Sequence, residues 1–125
     1  MKFTKFQEII AWQKAKVLVS SIYKDLAECR DFGYRDQIQR ASISIMSNVS
    51  EGYGRESQNE FIRFLLIAKG SAYEVESLLE VGTMLGYISR TQFHENTVLI
   101  NEISKMIRSL VASLKIPRAK DEQKT

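Results

Sequence analysis

The sequence contains few of the residues that interrupt or cross-link a chain. Among its 125 residues there are one proline, six glycines and one cysteine. Proline and glycine are the residues least compatible with a helix interior, so their scarcity favours long, uninterrupted helices. A single cysteine excludes an internal disulfide and supplies no metal-binding framework, which is typical of proteins in a reducing compartment. We therefore expect a helical protein of the cytoplasm.

Long apolar runs are also missing. No segment approaches the roughly 18 consecutive apolar residues of a membrane span, and the first residues lack the apolar run and cleavage site of a signal peptide. The formal net charge is +3 and the isoelectric point is near 9.0. Many nucleic-acid-binding proteins carry denser basic clusters than this. The composition thus predicts a soluble protein with no membrane partner, and it permits a nucleic-acid partner without requiring one.

Residues suited to catalysis or metal binding are sparse. The one histidine, His94, stands beside Glu95 and lacks the Glu-x-x-His spacing of di-iron bundles. Cys29 has no second cysteine or nearby histidine with which to form a nucleophilic pair. Gly52 and Gly54 are not followed by the Gly-Lys-Ser/Thr of a phosphate-binding loop, and we interpret them as loosening the end of a helix. We predict no catalytic, cofactor-binding or metal-binding residue, and hence a protein that is not an enzyme.

The apolar residues recur at three- and four-residue spacing, which is typical of helices that bury one face. This pattern predicts four helices, over about 6–29, 34–53, 58–85 and 90–115. Short links between them predict an all-α, antiparallel, up-down-up-down four-helix bundle over residues 1–117. Residues 118–125 are polar and charged with no apolar face, so we expect them to form a disordered tail.

Local signals mark the helix boundaries. Ser57 with Glu60, and Ser89 with Gln92, have the spacing of capping boxes at the start of the third and fourth helices. Gly33 is suited to the turn that separates the first helix from the second.

One polar stripe stands out on the second helix. Projected at about 100° per residue, five polar side chains fall within a sector of about 80°: Gln37, Arg40, Ser44, Asn48 and Glu51. Plain solvent exposure would favour long Lys and Glu side chains over Ser and Asn. The stripe therefore favours hydrogen bonding between helices or at an interface, and exposure and a specific ligand or nucleic-acid contact remain as alternatives.

The third helix has more apolar residues than one core-facing stripe requires. Beside its core stripe it carries two further apolar sets, Ile62, Leu66 and Tyr73 on one flank and Ile67, Leu78 and Leu85 on the other. A helix of a monomeric bundle buries one stripe and exposes the rest to water. Apolar residues on three sides therefore predict contact with another subunit.

Several ordered motifs resemble one known family. The segment 37–52 (QIQRASISIMSNVSEG) closely resembles the four-helix-bundle proteins first described from intervening sequences of 23S ribosomal RNA. The similarity also covers the helix-one segment 12–15 (WQKA), the segment 68–71 (AKGS) with Glu74, and the turn 86–88 (GYI), and it extends over about residues 6–115. Because these motifs occur in order and at the right separations, their combination is far more specific than any one of them.

The resemblance implies a left-handed four-helix bundle that assembles into a homopentameric barrel. A related branch of the family, the accessory variability determinant of diversity-generating retroelements, is a basic pentamer that binds a reverse transcriptase and nucleic acid. Five copies of this chain would carry a charge of about +15, enough for salt-sensitive attraction to phosphates.

Two hypotheses of function follow from the residues and the resemblance together. The first is a non-enzymatic, self-assembling scaffold that binds DNA, RNA, or an enzyme such as a reverse transcriptase that acts on them. Its candidate nucleic-acid contacts are Arg40, Arg55, Arg63 and Lys69. The alternative is a purely structural or protein-binding oligomer whose polar stripe is used for hydrogen bonds between helices.

Overall fold

The computed structural model describes residues 3–116, and this part of the chain is helical with no strand. A single 3₁₀ turn at Phe6–Glu8 is followed by four α-helices. They are α1 (Ile10–Asp25), α2 (Phe32–Gly54), α3 (Gln58–Met84) and α4 (Arg90–Lys115). The predicted tail, 118–125, lies outside the described residues. None of the helices in residues 3–116 is long and apolar enough to span a membrane.

The starts of α3 and α4 follow the predicted capping signals. The hydroxyl of Ser89 accepts from the backbone N–H of Gln92, and the Gln92 side chain accepts from the backbone N–H of Ser89, which is a complete capping box. Ser57 caps α3 by accepting from the backbone N–H of Glu60 at 3.3 Å. The Glu60 carboxylate, however, pairs with Arg63 at 2.7 Å. At the start of α3, only one of the two hydrogen bonds of a capping box is therefore made.

The first predicted helix was too long at both ends. The Glu8 carboxylate accepts from the backbone N–H groups of Thr4 and Lys5, which closes a separate turn. Ile9 then takes an extended conformation with its side chain buried, and α1 begins only at Ile10. At the other end, Leu26 leaves the helical conformation, and its side chain enters the core.

The second helix begins two residues earlier than predicted. Asp31 is its N-cap, because the side chain accepts from the backbone N–H of Tyr34 at 3.2 Å. Gly33 therefore lies in the first turn of α2, and its expected place in the preceding link was wrong.

The four helices pack around one apolar core, consistent with a four-helix bundle. α1 contacts α2 and α4, and α3 contacts the same two helices. Each helix contributes one buried stripe at helical spacing. The largest fully buried side chains are Phe61, Ile9, Leu18, Ile22, Leu26, Ile38, Ile45, Leu65, Leu79, Ile100, Ile103 and Ile107.

Contacts between helices join opposite ends of the elements. Tyr34, near the start of α2, donates its hydroxyl hydrogen to the carbonyl oxygen of Leu78 near the end of α3. At the other end of the pair, a Cβ on Gly52 of α2 would lie 2.6 Å from the Cβ of Phe64, near the start of α3. In the α1–α4 pair, Lys14 near the start of α1 forms an ion pair with Glu102 in the middle of α4 at 2.7 Å, and Ser21 farther along α1 donates to Asn96, which is earlier in α4, at 2.7 Å.

Gly52 does not loosen the helix end as we predicted. α2 continues through Gly54, and Gly52 is buried inside it. Its missing side chain lets the end of α2 approach Phe61 and Phe64 of α3 closely. Here glycine permits close contact between helices and does not end one.

Candidate functional site

The polar stripe of α2 makes hydrogen bonds to α3 through two of its members. Ser44 and Ser71 are joined through their hydroxyl oxygens at 2.9 Å, and Gln37 donates to the Glu74 carboxylate at 3.4 Å. Asn48 supports the first contact by donating to the Ser44 hydroxyl at 3.0 Å. These contacts are of the kind that the inter-helix interpretation of the stripe predicts.

Arg40, in contrast, is exposed and has no ion pair within residues 3–116. It borders an open groove of about 620 Å³ between α2 and α3, which is also lined by Asp36 and Glu74. Because two acidic residues lie beside one arginine, the groove carries charges of both signs. A dense phosphate backbone would meet repulsion as well as attraction there.

Two further predicted cations, Arg55 and Arg63, converge on one aromatic ring. Their guanidinium groups lie 4.9 and 4.6 Å from the ring centroid of Phe64, within cation–π range. Each is also paired with a carboxylate, Arg55 with Glu51 at 3.1 Å and Arg63 with Glu60 at 2.7 Å. The Arg63 hydrogen bond lowers the pKa of Glu60, so this carboxylate stays ionised. The structure thus groups two of the predicted contacts and balances their charge.

Lys69 lies apart from the other three predicted contacts, on the side of α3 that faces α4. It borders a groove of about 280 Å³ between α3 and α4, together with Arg108 and Lys115. The remaining lining residues are Leu66, Val111 and Ala112. We name this surface, defined by Leu66, Lys69, Arg108, Val111, Ala112 and Lys115, the basic groove.

Sequence analysis did not single out Arg108 or Lys115. A signal was present, because they are seven residues apart on α4 and so lie nearly on one line along the helix. Their pairing with Lys69, however, depends on how α3 and α4 face each other.

The apolar residues predicted for a subunit interface have different exposures. Leu66, Ile67, Tyr73 and Leu85 are 41–50% exposed. Leu78 is only 9% exposed and belongs to the core, since Tyr34 of α2 lies against its backbone. Leu78 therefore packs inside the protomer and is not exposed for a subunit contact. Ile62 is half-buried, and Met84, which we had not singled out, is 75% exposed.

A buried polar network joins α1 to α4. Asn96 is 1% exposed, and its Oδ1 accepts from the Ser21 hydroxyl at 2.7 Å. Its Nδ2 donates to the Asp25 carboxylate and to the carbonyl oxygen of Gln92, each at 2.9 Å. Sequence analysis missed this network. The only signal was an asparagine on the core-facing stripe of the fourth helix, four residues before Ile100.

The residues considered for catalysis are dispersed. His94 is exposed, and Cys29 is a half-buried free thiol. Over residues 3–116 no group of three or more His, Cys, Asp or Glu side chains is placed to hold a metal ion.

Comparisons with known proteins agree on one family. The model of the 23S rRNA-intervening sequence protein family matches residues 7–109. One protein of known crystal structure is 30% identical in sequence to this chain. It is a protein of unknown function from the S23 ribosomal protein family, from Bacteroides thetaiotaomicron VPI-5482. The similarity covers 81% of this chain and 97% of that chain, with a TM-score of 0.76. No curated protein matches the sequence.

Proposed function

Because the chain belongs to the 23S rRNA-intervening sequence protein family, we propose that it is a non-enzymatic, self-assembling helical scaffold. In this proposal the oligomer binds nucleic acid, or an enzyme that processes nucleic acid, through its basic surface. The observation that carries it is the apolar surface left exposed on α3, where helical spacing places Ile67 and Leu85 on one flank and Tyr73 and Met84 on the other. Exposed apolar side chains on two flanks of one helix are typical of subunit contacts.

The proposed protomer is a left-handed, antiparallel bundle with up-down-up-down order. The pairing of Tyr34 with Leu78, and the approach of Gly52 to Phe64, support opposite directions for α2 and α3. The pairing of Lys14 with Glu102, together with that of Ser21 with the earlier residue Asn96, supports opposite directions for α1 and α4. Short links between successive helices support the same order.

The proposed assembly is a homopentameric barrel. In a closed ring each protomer contacts two neighbours through two different surfaces. The two exposed flanks of α3 fit this requirement if Ile67 and Leu85 of one copy meet Tyr73 and Met84 of the next, which lie farther along α3 than the basic-groove residues Leu66 and Lys69. The number five comes from the resemblance to the family and stays a prediction.

Nucleic-acid binding is supported by the state of the basic side chains. Within residues 3–116, only three basic side chains form an ion pair, and these are Lys14, Arg55 and Arg63. A ring would bring the remaining basic groups of several copies together, and clustered cations attract phosphates in proportion to their number.

A mobility-shift assay across a salt series tests the binding directly. We expect the protein to retard a labelled duplex at about 20 mM salt and to release it as the salt rises towards about 200 mM, because each phosphate contact releases counterions. The controls are a net-neutral protein of similar size and an unlabelled competitor. Failure to bind DNA or RNA at the lowest salt would contradict nucleic-acid binding.

The alternative function is a purely structural or protein–protein interaction oligomer. It is favoured by the hydrogen bonds from the α2 stripe to α3 and by the balanced charges at Arg55 and Arg63. Under this alternative no shift occurs at any salt concentration. Arg40→Ala or Asn48→Ala then weakens assembly or stability and leaves any nucleic-acid affinity almost unchanged.

A further inference from the structure

The sign of the charge differs among the grooves between the helices. The α2–α3 groove contains Arg40 together with Asp36 and Glu74. In the basic groove, three of the six lining residues are cationic and none is acidic. Of these cations, Arg108 and Lys115 are exposed and Lys69 is half-buried, and none of the three forms an ion pair within the described residues.

We infer that the basic groove is the surface on which this protein binds the phosphodiester backbone of double-stranded nucleic acid. The inference rests on the proposed nucleic-acid binding and gives it a location on the protomer. It also moves the principal contacts away from Arg55 and Arg63, whose charges are already balanced by Glu51 and Glu60.

A helix dipole does not account for these cations. Basic side chains are favoured in the last turn of a helix, where the carbonyl groups carry partial negative charge. Lys115 lies in the last turn of α4 and fits this explanation. Arg108 lies two turns earlier and Lys69 is in the middle of α3, beyond the reach of the effect. Two of the three cations therefore call for another reason.

The spacing of the cations fits a duplex backbone. Arg108 and Lys115 are seven residues apart, or about 10 Å along the axis of α4 at about 1.5 Å per residue. One strand of a duplex carries a phosphate about every 3.4 Å along its axis, so about three phosphates occupy this length. Arg108 and Lys115 are therefore spaced so that they can contact separate phosphates of one strand, and Lys69 adds a third positive charge to the groove from α3.

The floor of the groove favours backbone contact over contact with bases. Leu66, Val111 and Ala112 are aliphatic, and no aromatic ring lines the groove. Leu66 is thereby assigned to the groove and not to the subunit contact that the sequence predicts for it. Proteins that bind single strands generally stack bases on aromatic side chains. An aliphatic floor instead supports the stems of long basic side chains whose charged ends reach outward. This arrangement suits a duplex, whose bases are stacked internally and whose phosphates are outermost.

Two variants with equal charge test the location. The groove variant is Lys69→Gln, Arg108→Gln and Lys115→Gln. The control variant is Lys24→Gln, Arg90→Gln and Lys105→Gln, which removes two lysines and one arginine from exposed positions that do not line the groove. Each is titrated with a 20-base-pair RNA duplex and the matching DNA duplex, and with one single strand of each, over a salt series. Circular dichroism and native mass report folding and assembly.

We expect the groove variant to bind duplex at least about tenfold more weakly than wild type near about 100 mM salt. The slope of log affinity against log salt should become shallower by about 2 to 3, since each lost phosphate contact removes about 0.9. The control variant should lose less than about threefold, through the weaker long-range field alone.

Other outcomes overturn the inference in distinguishable ways. Equal losses in the two variants would leave nucleic-acid binding intact and refute the groove as its location. Tighter binding to the single strands than to the duplexes would refute the duplex assignment. A folded groove variant that no longer assembles would identify the groove as a contact between copies. If wild type binds none of the four probes, nucleic-acid binding itself fails.

Discussion

At the scale of single residues, the glycines of this fold have unlike roles. Gly82 is buried in α3, and a Cβ there would overlap the hydroxyl oxygen of Tyr34 and lie 2.7 Å from Ile88. Gly70 is exposed on the same helix, and a Cβ there would meet nothing within 4 Å. The two positions have the same helical backbone, and they differ only in what surrounds them.

This pair gives a matched prediction of stability. Gly82→Ala should lower the free energy of unfolding by about 1–3 kcal/mol, because Tyr34 must shift and its hydrogen bond to the Leu78 carbonyl is strained. Gly70→Ala should raise the free energy of unfolding by about 0.5–1 kcal/mol, because alanine restricts the unfolded chain and favours the helix. Urea denaturation of both variants measures the difference. Equal stability of the two variants would refute the close contact at Gly82.

The same contrast explains why the role predicted for Gly52 was wrong. Glycine favours helix ends and also permits close approach between helices, and the residue type is the same in both cases. The choice depends on Phe61 and Phe64, which reach Gly52 only after α3 has folded back against α2. A local pattern contains no information about that distance.

At the scale of the helices, local sequence signals predicted those helix boundaries that are set by hydrogen bonds within one turn. The capping box of Ser89 and Gln92 lies where its spacing predicts, because both of its hydrogen bonds are made within one turn. The end of α1 is different. Its apolar spacing continues to Leu26, but the backbone leaves the helix there while the side chain stays in the core. Periodicity reports burial, and burial does not stop where the helix stops.

Asp31 connects two links of the fold at one end of the molecule. Its carboxylate caps α2 through the backbone N–H of Tyr34, and it accepts from the hydroxyl of Tyr87, which follows α3, at 2.8 Å. The hydrogen bond from Tyr87, together with that from Tyr34, holds the pKa of Asp31 below its ordinary value. The ionised carboxylate is therefore the form that stabilises the folded chain.

The pH dependence of this contribution has a definite sign. Because the folded-state pKa is lowered, the stabilisation is complete above the unfolded-state pKa of about 3.9 and is lost as the pH falls through the folded-state value. Asp31→Asn should lower the melting temperature at pH 7, since one oxygen and one NH₂ group cannot accept from both donors. The difference from wild type should shrink as the pH falls from about 4 to about 2.

Thermal melts at several pH values measure this effect. Asp36→Asn removes the same charge from an exposed position on α2 that makes no hydrogen bond within the described residues, and it serves as the control. If Asp31→Asn and wild type differ equally at pH 7 and at pH 2, the contribution is not electrostatic.

At the scale of the whole molecule, the four helices were predictable and the grouping of charges was not. Each helix has its own apolar stripe, and that stripe can be recognised from the sequence of one segment alone. The basic groove combines Lys69 of α3 with Arg108 and Lys115 of α4. Lys69 is about forty residues from these two in the sequence. Likewise, Arg55 and Arg63 are cations in the sequence, but carboxylates balance them in the fold. Which charges remain available is a property of tertiary structure.

The proposed assembly gives a prediction at this largest scale. Light scattering or native mass spectrometry should find a particle of about 72 kDa, five times the chain mass of 14.4 kDa. Tyr73→Glu and Leu85→Glu place a charge on opposite flanks of α3, where each side chain is about half exposed in the protomer. Burying an unpaired carboxylate in a subunit contact is costly, so either change should yield monomers that keep their helical content.

A matched control separates this contact from general effects of surface charge. Val17→Glu introduces the same group at a slightly more exposed apolar position on α1, and we expect it to leave the large particle intact. Disruption by Val17→Glu with an intact particle in both α3 variants would assign the contact to α1. A monomeric wild type across the micromolar range would contradict self-assembly altogether. The exposed apolar residues of α3 would then have to face a different protein, because a surface of this kind is seldom left in contact with water.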